Sequence, residues 1–379
     1  LDKFAKHVIR YTHGNEVKTI NDLGKKGKVA DEFAKAKNAI IFYGSDGLGV
    51  NGTSALASAC GSLLKETGHV GRANNGLIGV WQRANDQGAF EMGFEPVDDL
   101  AKALKGKVVY IAGADPVGDN PNFAKVLKDS KFVAVQDLLE TATTEIADAV
   151  FPAQAFTERE GTFTSGERRV QRFYAAVPVK GESKADFAIT SMIAKQMGVI
   201  LEGSSVRVVF DLLSNSVDAF SDLNYDKLAE TKEQFPIVGR SDMYYGGTTY
   251  ENTKGLGVQL LPMAQVGGTV RIPKVRKEAA LHPKEKEILA VPVNKLYDYG
   301  ITVSSAELLE QRIGETKISM NSSTAKKLGV DAGKLAKISF DGVSGEALIK
   351  IDDSISAGVV LVPRSMGLAI HEPVVGKVK

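Results

Sequence analysis

Cysteine is almost missing from this chain: Cys60 is the only one in 379 residues. A single thiol excludes an internal disulfide and any iron–sulfur cluster or zinc site built from the chain's own thiolates. Histidine is scarce too. His7, His13, His69, His282 and His371 show no His-x-x-x-His spacing and no flanking carboxylate cluster, so they read as surface or core residues and no metal site is expected. Charge of one sign is also lacking, since 47 Lys and Arg stand against 46 Asp and Glu, so neither nucleic acid nor an anionic membrane surface is expected as a partner. No apolar run approaches the roughly 18 residues of a spanning helix, and the first residues, Leu1 to His7, lack the apolar core of a signal peptide. The expectation is an intracellular chain that meets a membrane only through another subunit. Its start at Leu rather than Met suggests that further sequence was trimmed, disordered or carried on another chain.

What the chain does have is an ordinary globular composition, 43% hydrophobic and 25% charged, with length for two or three domains. Lys28 to Lys37 reads as a helix, Asn38 to Tyr43 as a strand ending at Gly44, and Asn51 to Lys65 as a second helix. Strands follow at Lys107–Ala112, Phe132–Asp137 and Ala147–Ala153, with a helix through Lys128 and another over Ala185–Met197. This alternation predicts an α/β fold, a parallel sheet flanked by helices. From Val199 the pattern weakens, apart from a helix over Val206–Phe220, and a Gly/Tyr-rich stretch over 239–257 is expected to face a partner. Short strands at Lys317–Met320, Leu335–Phe340, Ala347–Ile351 and Val359–Val362, with a helix at Ser322–Leu328, predict a small C-terminal β-barrel. The expected division is thus an α/β domain over 1–198, an irregular region over 199–295 and a barrel over 296–379.

Two motifs could carry chemistry. Gly47-Leu-Gly49-Val-Asn-Gly52 has the Gly-x-Gly-x-x-Gly spelling between a strand and a helix, where backbone amides and the helix dipole could hold a phosphate. The acidic residue that a nicotinamide site wants about 20 positions on is not found around Val70–Asn74. The run Glu158 to Gln171 packs three acids and three arginines around two glycines just after a strand. Arg159, Arg168 and Arg169 could grip phosphate oxygens, and Glu158, Glu160 and Glu167 could equally neutralise them in a salt-bridge network. No Ser–His–Asp set or isolated carboxylate pair at a Gly-rich turn emerges, so no catalytic residue is expected.

In their order, the segments Gly47–Gly49, Leu64–Gly71, Asn85–Gly93, Gly113–Pro116, Gln136–Asp137, Glu140–Pro152, Glu158–Gln171, Ser322–Gly333 and Gly358–Pro363 resemble the carboxyl-terminal part of the molybdopterin oxidoreductase superfamily. Within it the chain resembles the large peripheral-arm G (75 kDa) subunit of respiratory complex I more than formate dehydrogenase α subunits. The pterin-wrapping motifs of the latter are not found at Asp341–Gly345 or Pro363–Gly367, and the Thr-Gly-Arg element expected before the barrel is missing. The resemblance implies a scaffold for NADH-to-quinone electron transfer without a cofactor of its own. Iron–sulfur clusters would lie upstream or on neighbouring peripheral-arm subunits, at the cytoplasmic face of an energy-transducing membrane. The alternative it implies is part of a molybdenum or tungsten bis-pterin formate dehydrogenase. In that case Gly47, Gly49, Asp115, Asp137, Thr157 and Arg169 would lie on the side of the bis-molybdopterin guanine dinucleotide.

Overall fold

The computed structural model describes residues 2–379 other than 26, 45, 98, 230–256 and 276–280. The stretch expected to face a partner therefore lies outside the described residues over 239–256. The chain forms two compact units: Leu1–Val80 with Gly267–Lys379, and Trp81–Val266. Among the described residues no helix is long and apolar enough to cross a membrane.

The first unit opens with helices α1 (Glu16–Leu23) and α2 (Lys28–Lys35), then strand β1 (Ile40–Gly44), helix α3 (Gly49–Glu66) and strand β2 (Gly76–Val80). β1 and β2 pair in parallel, with Phe42 opposite Ile78. The long α3 buries Leu56, Ala59, Cys60 and Leu64. His69 follows it, fully buried, its ring nitrogens bonded to Thr67 Oγ1 (2.9 Å) and Ala36 O (2.8 Å), as a core histidine should be.

The second unit carries α4 (Asp86–Glu91), α5 (Leu100–Leu104), β3 (Val108–Ala112), the single turn α6 (Pro116–Asp119), α7 (Phe123–Lys128), β4 (Phe132–Asp137) and β5 (Ala149–Pro152). The three strands make a parallel sheet in the order β3-β4-β5. Val109, Val133 and Val135 pack with Val117 and Leu127 into one core, so the helices cover that face. A second, antiparallel sheet follows: β6 (Gly161–Thr164), β7 (Arg169–Phe173) and β8 (Val258–Gln259). Helices α8 (Asp186–Gln196) and α9 (Val206–Ser216) intervene, and Val170 of β7 joins Phe210, Phe220, Tyr225, Leu228 and Leu260 in the core beneath it.

The first unit is completed by β9 (Ile288–Val293), the single turns α10 (Ile301–Ser304) and α11 (Glu307–Glu310), β10 (Lys317–Met320), α12 (Ser322–Leu328), β11 (Leu335–Phe340), β12 (Val343–Ile351), β13 (Val359–Pro363) and β14 (Val374–Val378). Six strands close a barrel in the order β10-β12-β11-β14-β9-β13. The four strands read from sequence are there, two of them as parts of longer strands; β9 falls in the region expected to be irregular, and β14 lies within the expected barrel but was not read as a strand. Alternation explains the filling: Ala336, Ile338 and Phe340 of β11 point inward, where they meet Ile318, Met320, Ile349 and Val360. Asn321 caps α12 through a bond from Thr324 N–H (2.8 Å), and Gly329 ends it in the left-handed conformation. The fold is therefore mixed α/β, with parallel sheets and a closed six-stranded barrel.

Two outcomes test this packing. Ile338→Ala should cost about 2–5 kcal/mol, whereas Leu335→Ala, on the outward face of the same strand, should stay within about 0.5 kcal/mol; urea denaturation followed by circular dichroism reads both. Burial pushes the Cys60 thiol up to about 11. At pH 8 it should resist iodoacetamide in the native protein and react at once in denaturant, and stability should fall between the unfolded thiol's value and about 11, because the folded form holds its proton more tightly there. Rapid native alkylation would contradict this burial.

Candidate functional site

Parallel pairing of β3 with β4 puts Asp115, just past β3, and Asp137, the last residue of β4, at the carboxyl edge of one sheet; Thr157 lies in the loop after β5, and Arg169 on the next sheet. β3 leads through Gly113 to Asp115, which caps α6 by accepting the Gly118 N–H (3.1 Å). The same oxygen accepts the Thr143 N–H (3.0 Å) and the Thr143 hydroxyl (2.6 Å). One carboxylate thus ties the loop after β3 to the loop after β4. That second loop is further locked by Thr141 and Thr144, each accepting the other's N–H through its hydroxyl (3.1 and 2.7 Å). Asp137 ends β4 and is only 7% exposed; its Oδ1 accepts the Leu138 N–H at 2.7 Å, and its backbone carbonyl accepts the Ala153 N–H at 2.9 Å. Thr157 follows β5, its carbonyl accepting N–H groups of Ala176 (2.7 Å) and Val177 (3.0 Å).

A polar chain that the sequence reading missed runs beside this edge. Tyr110 donates its hydroxyl hydrogen to the Gln136 side chain, Gln136 donates to Asp186 at the start of α8, and Asp186 pairs with Arg159. Burial raises the Tyr110 phenol and lowers the Arg159 guanidinium from their usual values. Gln136 and Arg159 stand within quoted motifs, but Asp186 sits 50 positions from Gln136 and carries no local signal.

The charged run Glu158–Gln171 is not a loop but the β6–β7 hairpin and its approach, and its arginines are taken up by neighbours. Arg168, at φ +67°, forks onto Glu91 of α4 with two bonds (2.6 and 3.1 Å). Arg169 contacts Glu167 (3.3 Å) and the Gly257 carbonyl (3.4 Å). Glu158 accepts backbone N–H groups of Ala155 and Lys180, both at 3.0 Å. Just past the run, Arg172 stacks on Tyr225 at 3.8 Å and Tyr174 at 4.5 Å while meeting Glu160.

Gly47 and Gly49 belong to the other unit, in the turn from β1 to α3, and both take positive φ. A Cβ on Gly47 would meet Val291 Cγ1 at 2.8 Å, and one on Gly49 would meet Glu372 Cβ at 3.0 Å and its carboxylate at 3.4 Å. His13 Nε2 bonds the Gly47 carbonyl (2.9 Å). The glycines thus admit the barrel's β9 and an acidic side chain of the chain itself to the amino end of α3, where an anion would otherwise rest. Among the described residues no three His, Cys, Asp or Glu side chains converge as metal ligands.

Residues 10–196 match the molybdopterin oxidoreductase family. The F420-dependent formate dehydrogenase 2 subunit alpha of Methanococcus maripaludis is 26% identical, covering 88% of this chain and 54% of that protein. The F420-dependent formate dehydrogenase subunit alpha of Methanocaldococcus jannaschii is 25% identical over 87% and 54%. Formate dehydrogenase H of Escherichia coli is 30% identical over 59% and 37%. The chain thus spans about half the length of the curated relatives it matches.

These relatives overturn the expectation of a non-catalytic stretch of the complex I G subunit, and with it the respiratory-chain assignment: they carry the name formate dehydrogenase. The expectation that the chain binds no cofactor likewise conflicts with a family named for one. Both rested on missing motifs. At Asp341–Gly345 the chain makes the two-residue turn between β11 and β12, with Asp341 and Gly342 at φ +41° and +76°. At Pro363–Gly367 the Arg364 N–H bonds Val293 O (3.0 Å) and its guanidinium faces Asp46 (3.7 Å). Over residues 10–196 the chain thus matches the molybdopterin oxidoreductase family, and its similarity to formate dehydrogenase α subunits runs along most of its length.

Proposed function

We propose that the chain is part of the catalytic α subunit of a formate-oxidising molybdenum or tungsten bis-pterin enzyme, and that its Trp81–Val266 unit binds a guanine-nucleotide end of the cofactor. The alignment with a formate dehydrogenase α subunit over 88% of the chain carries this reading. When bound, the cofactor supplies the metal that takes up the two electrons released as formate becomes carbon dioxide and a proton. The part of these residues is to bind and orient.

The donor set fits a guanine. Asp137 presents a carboxylate at the carboxyl edge of a parallel sheet, the side on which open α/β sheets bind ligands, and one of its oxygens is held by the Leu138 N–H. Guanine offers an N1–H and a 2-amino group side by side, which suits a carboxylate acceptor; adenine lacks that pair. Thr157 carries a hydroxyl in the loop that follows β5, while Asp115, with three bonds to Gly118 and Thr143, keeps the two loops in place. Arg169, engaged by Glu167 and the Gly257 carbonyl, holds the neighbouring hairpin. Gly47 and Gly49 do not serve this role, because Val291 packs on the first and the Glu372 carboxylate beside the second would repel a phosphate.

GDP at about 100 times its dissociation constant should stabilise the protein by about 2.7 kcal/mol, and ADP should not; Asp137→Ala should lose the GDP effect. Thermal denaturation measures both. Equal shifts with ADP, or a GDP shift retained by the variant, would remove Asp137 from the site.

Protein isolated from its native host should hold about one molybdenum or tungsten per chain and reduce a viologen dye with formate. A metal-loaded protein inert to formate would end the formate reading while leaving the nucleotide reading standing.

A further inference from the structure

His69 is 1% exposed and lies in the unit that carries none of the proposed nucleotide residues, yet every hydrogen on its ring nitrogens can be placed by counting donors and acceptors. Its Nε2 is 2.8 Å from the Ala36 carbonyl. A carbonyl only accepts, so Nε2 carries a hydrogen whatever the charge of the ring. Nδ1 is 2.9 Å from Thr67 Oγ1, and that hydroxyl, with one hydrogen to give, is also 2.8 Å from the Leu63 carbonyl. Two arrangements satisfy these distances. With the hydroxyl turned to Nδ1 the ring is neutral; with it turned to Leu63 O, Nδ1 must donate and the ring is an imidazolium. Neither leaves a ring nitrogen or the hydroxyl without a partner, and Leu63 O accepts the Thr67 N–H (3.1 Å) in both.

From this we infer that His69 is a proton-uptake site: the folded protein charges this buried ring by rotating the Thr67 hydroxyl, with no movement of the chain. A buried cation is costly when its N–H groups lack acceptors, and here both oxygens are already in place. The ring also sits at the carbonyl end of the 18-residue α3, where the His69 backbone N–H bonds Leu64 O (2.7 Å) and the helix dipole favours a cation. The ionisable side chains of the two helices packed against it are Lys28, Asp31, Glu32 and Lys35 of α2 and Cys60, Lys65 and Glu66 of α3, and among the described residues none of them bonds the ring. Glu32 is engaged by Lys6 and His7, and burial keeps the Cys60 thiol protonated. Phe33 of α2 meets the ring edge-on, with centroids 5.5 Å apart. Because Ala36 ends α2 and Thr67 ends α3, uptake turns both ring bonds into charge-assisted ones across the joint between the two helices. This pH-sensitive clamp goes beyond the formate and nucleotide readings and depends on neither.

Nitrogen-15 NMR of the folded protein with labelled histidine tests it. The His69 signals are those missing from His69→Asn or, should that variant not fold, those whose ring hydrogens exchange most slowly with solvent. At the alkaline end of the folded range the ring should be the neutral tautomer with its hydrogen on Nε2 alone. As the pH falls it should gain a hydrogen on Nδ1 before circular dichroism shows any loss of fold. Thr67→Val takes away the second acceptor and should lose this uptake, its ring staying neutral up to acid unfolding, whereas Thr67→Ser keeps the hydroxyl and should retain it.

A neutral ring with its hydrogen on Nδ1 would overturn the inference, as would a ring whose charge is the same throughout the folded range. Both are read on the unaltered protein, so they decide the matter even if a variant fails to fold. Undiminished uptake in Thr67→Val would overturn it too.

Discussion

Burying polar side chains at the end of β4 is the constraint around which the Trp81–Val266 unit is organised. After Phe132 every residue of β4 is buried, yet its last two are Gln136 and Asp137. A buried amide or carboxylate without partners costs more than most single contacts return, so these two determine what must surround them. Tyr110 must come from β3 and Asp186 from the start of α8, and Asp186 in turn engages Arg159 on the approach to the hairpin. The threonine loop that follows closes against Asp115. Strand β3, the start of α8 and the approach to the second sheet are thus tied together at one strand end.

The other unit solves a related problem with apolar chain. β9 is buried along nearly its whole length: Ile288 and Ala290 face the barrel core, and Val291 lies against the turn that precedes α3. Two glycines in that turn make the approach possible. The turn looks like a phosphate cradle because close backbone approach demands the same residues whether the visitor is a ligand or a strand. Here the visitors are Val291 and Glu372.

Much of this was legible locally. Phe132–Asp137, Lys317–Met320, Ser322–Leu328 and Leu335–Phe340 have the bounds read from sequence, because apolar alternation or a cap–helix–glycine pattern marks each one. β2 escaped because Gly76-Leu-Ile-Gly-Val80 has two glycines, and β9 because Pro292 interrupts an apolar run within a weakly patterned region. The Glu158–Gln171 hairpin passed for a loop since its stabilising partners, Glu91 and Asp186, are remote in sequence. Candidate site residues were legible as types, but Asp115 and Asp137 share a sheet edge only through the parallel pairing of β3 with β4. The misassignment to complex I had a different origin: motifs were judged missing in a chain that spans about half of its relatives, and the positions in question are filled by a turn and a loop with packing roles of their own.

The order of strands in the barrel bears on how the protein is made. β9 lies between β13 and β14, so its two edges wait for partners that the ribosome delivers much later, β14 some 80 residues after β9. At about 5–20 residues per second, that leaves a fully apolar strand unpaired for several seconds of synthesis. During that interval both edges of β9 lack the partners that later blunt them, which leaves the strand open to mispairing with other chains.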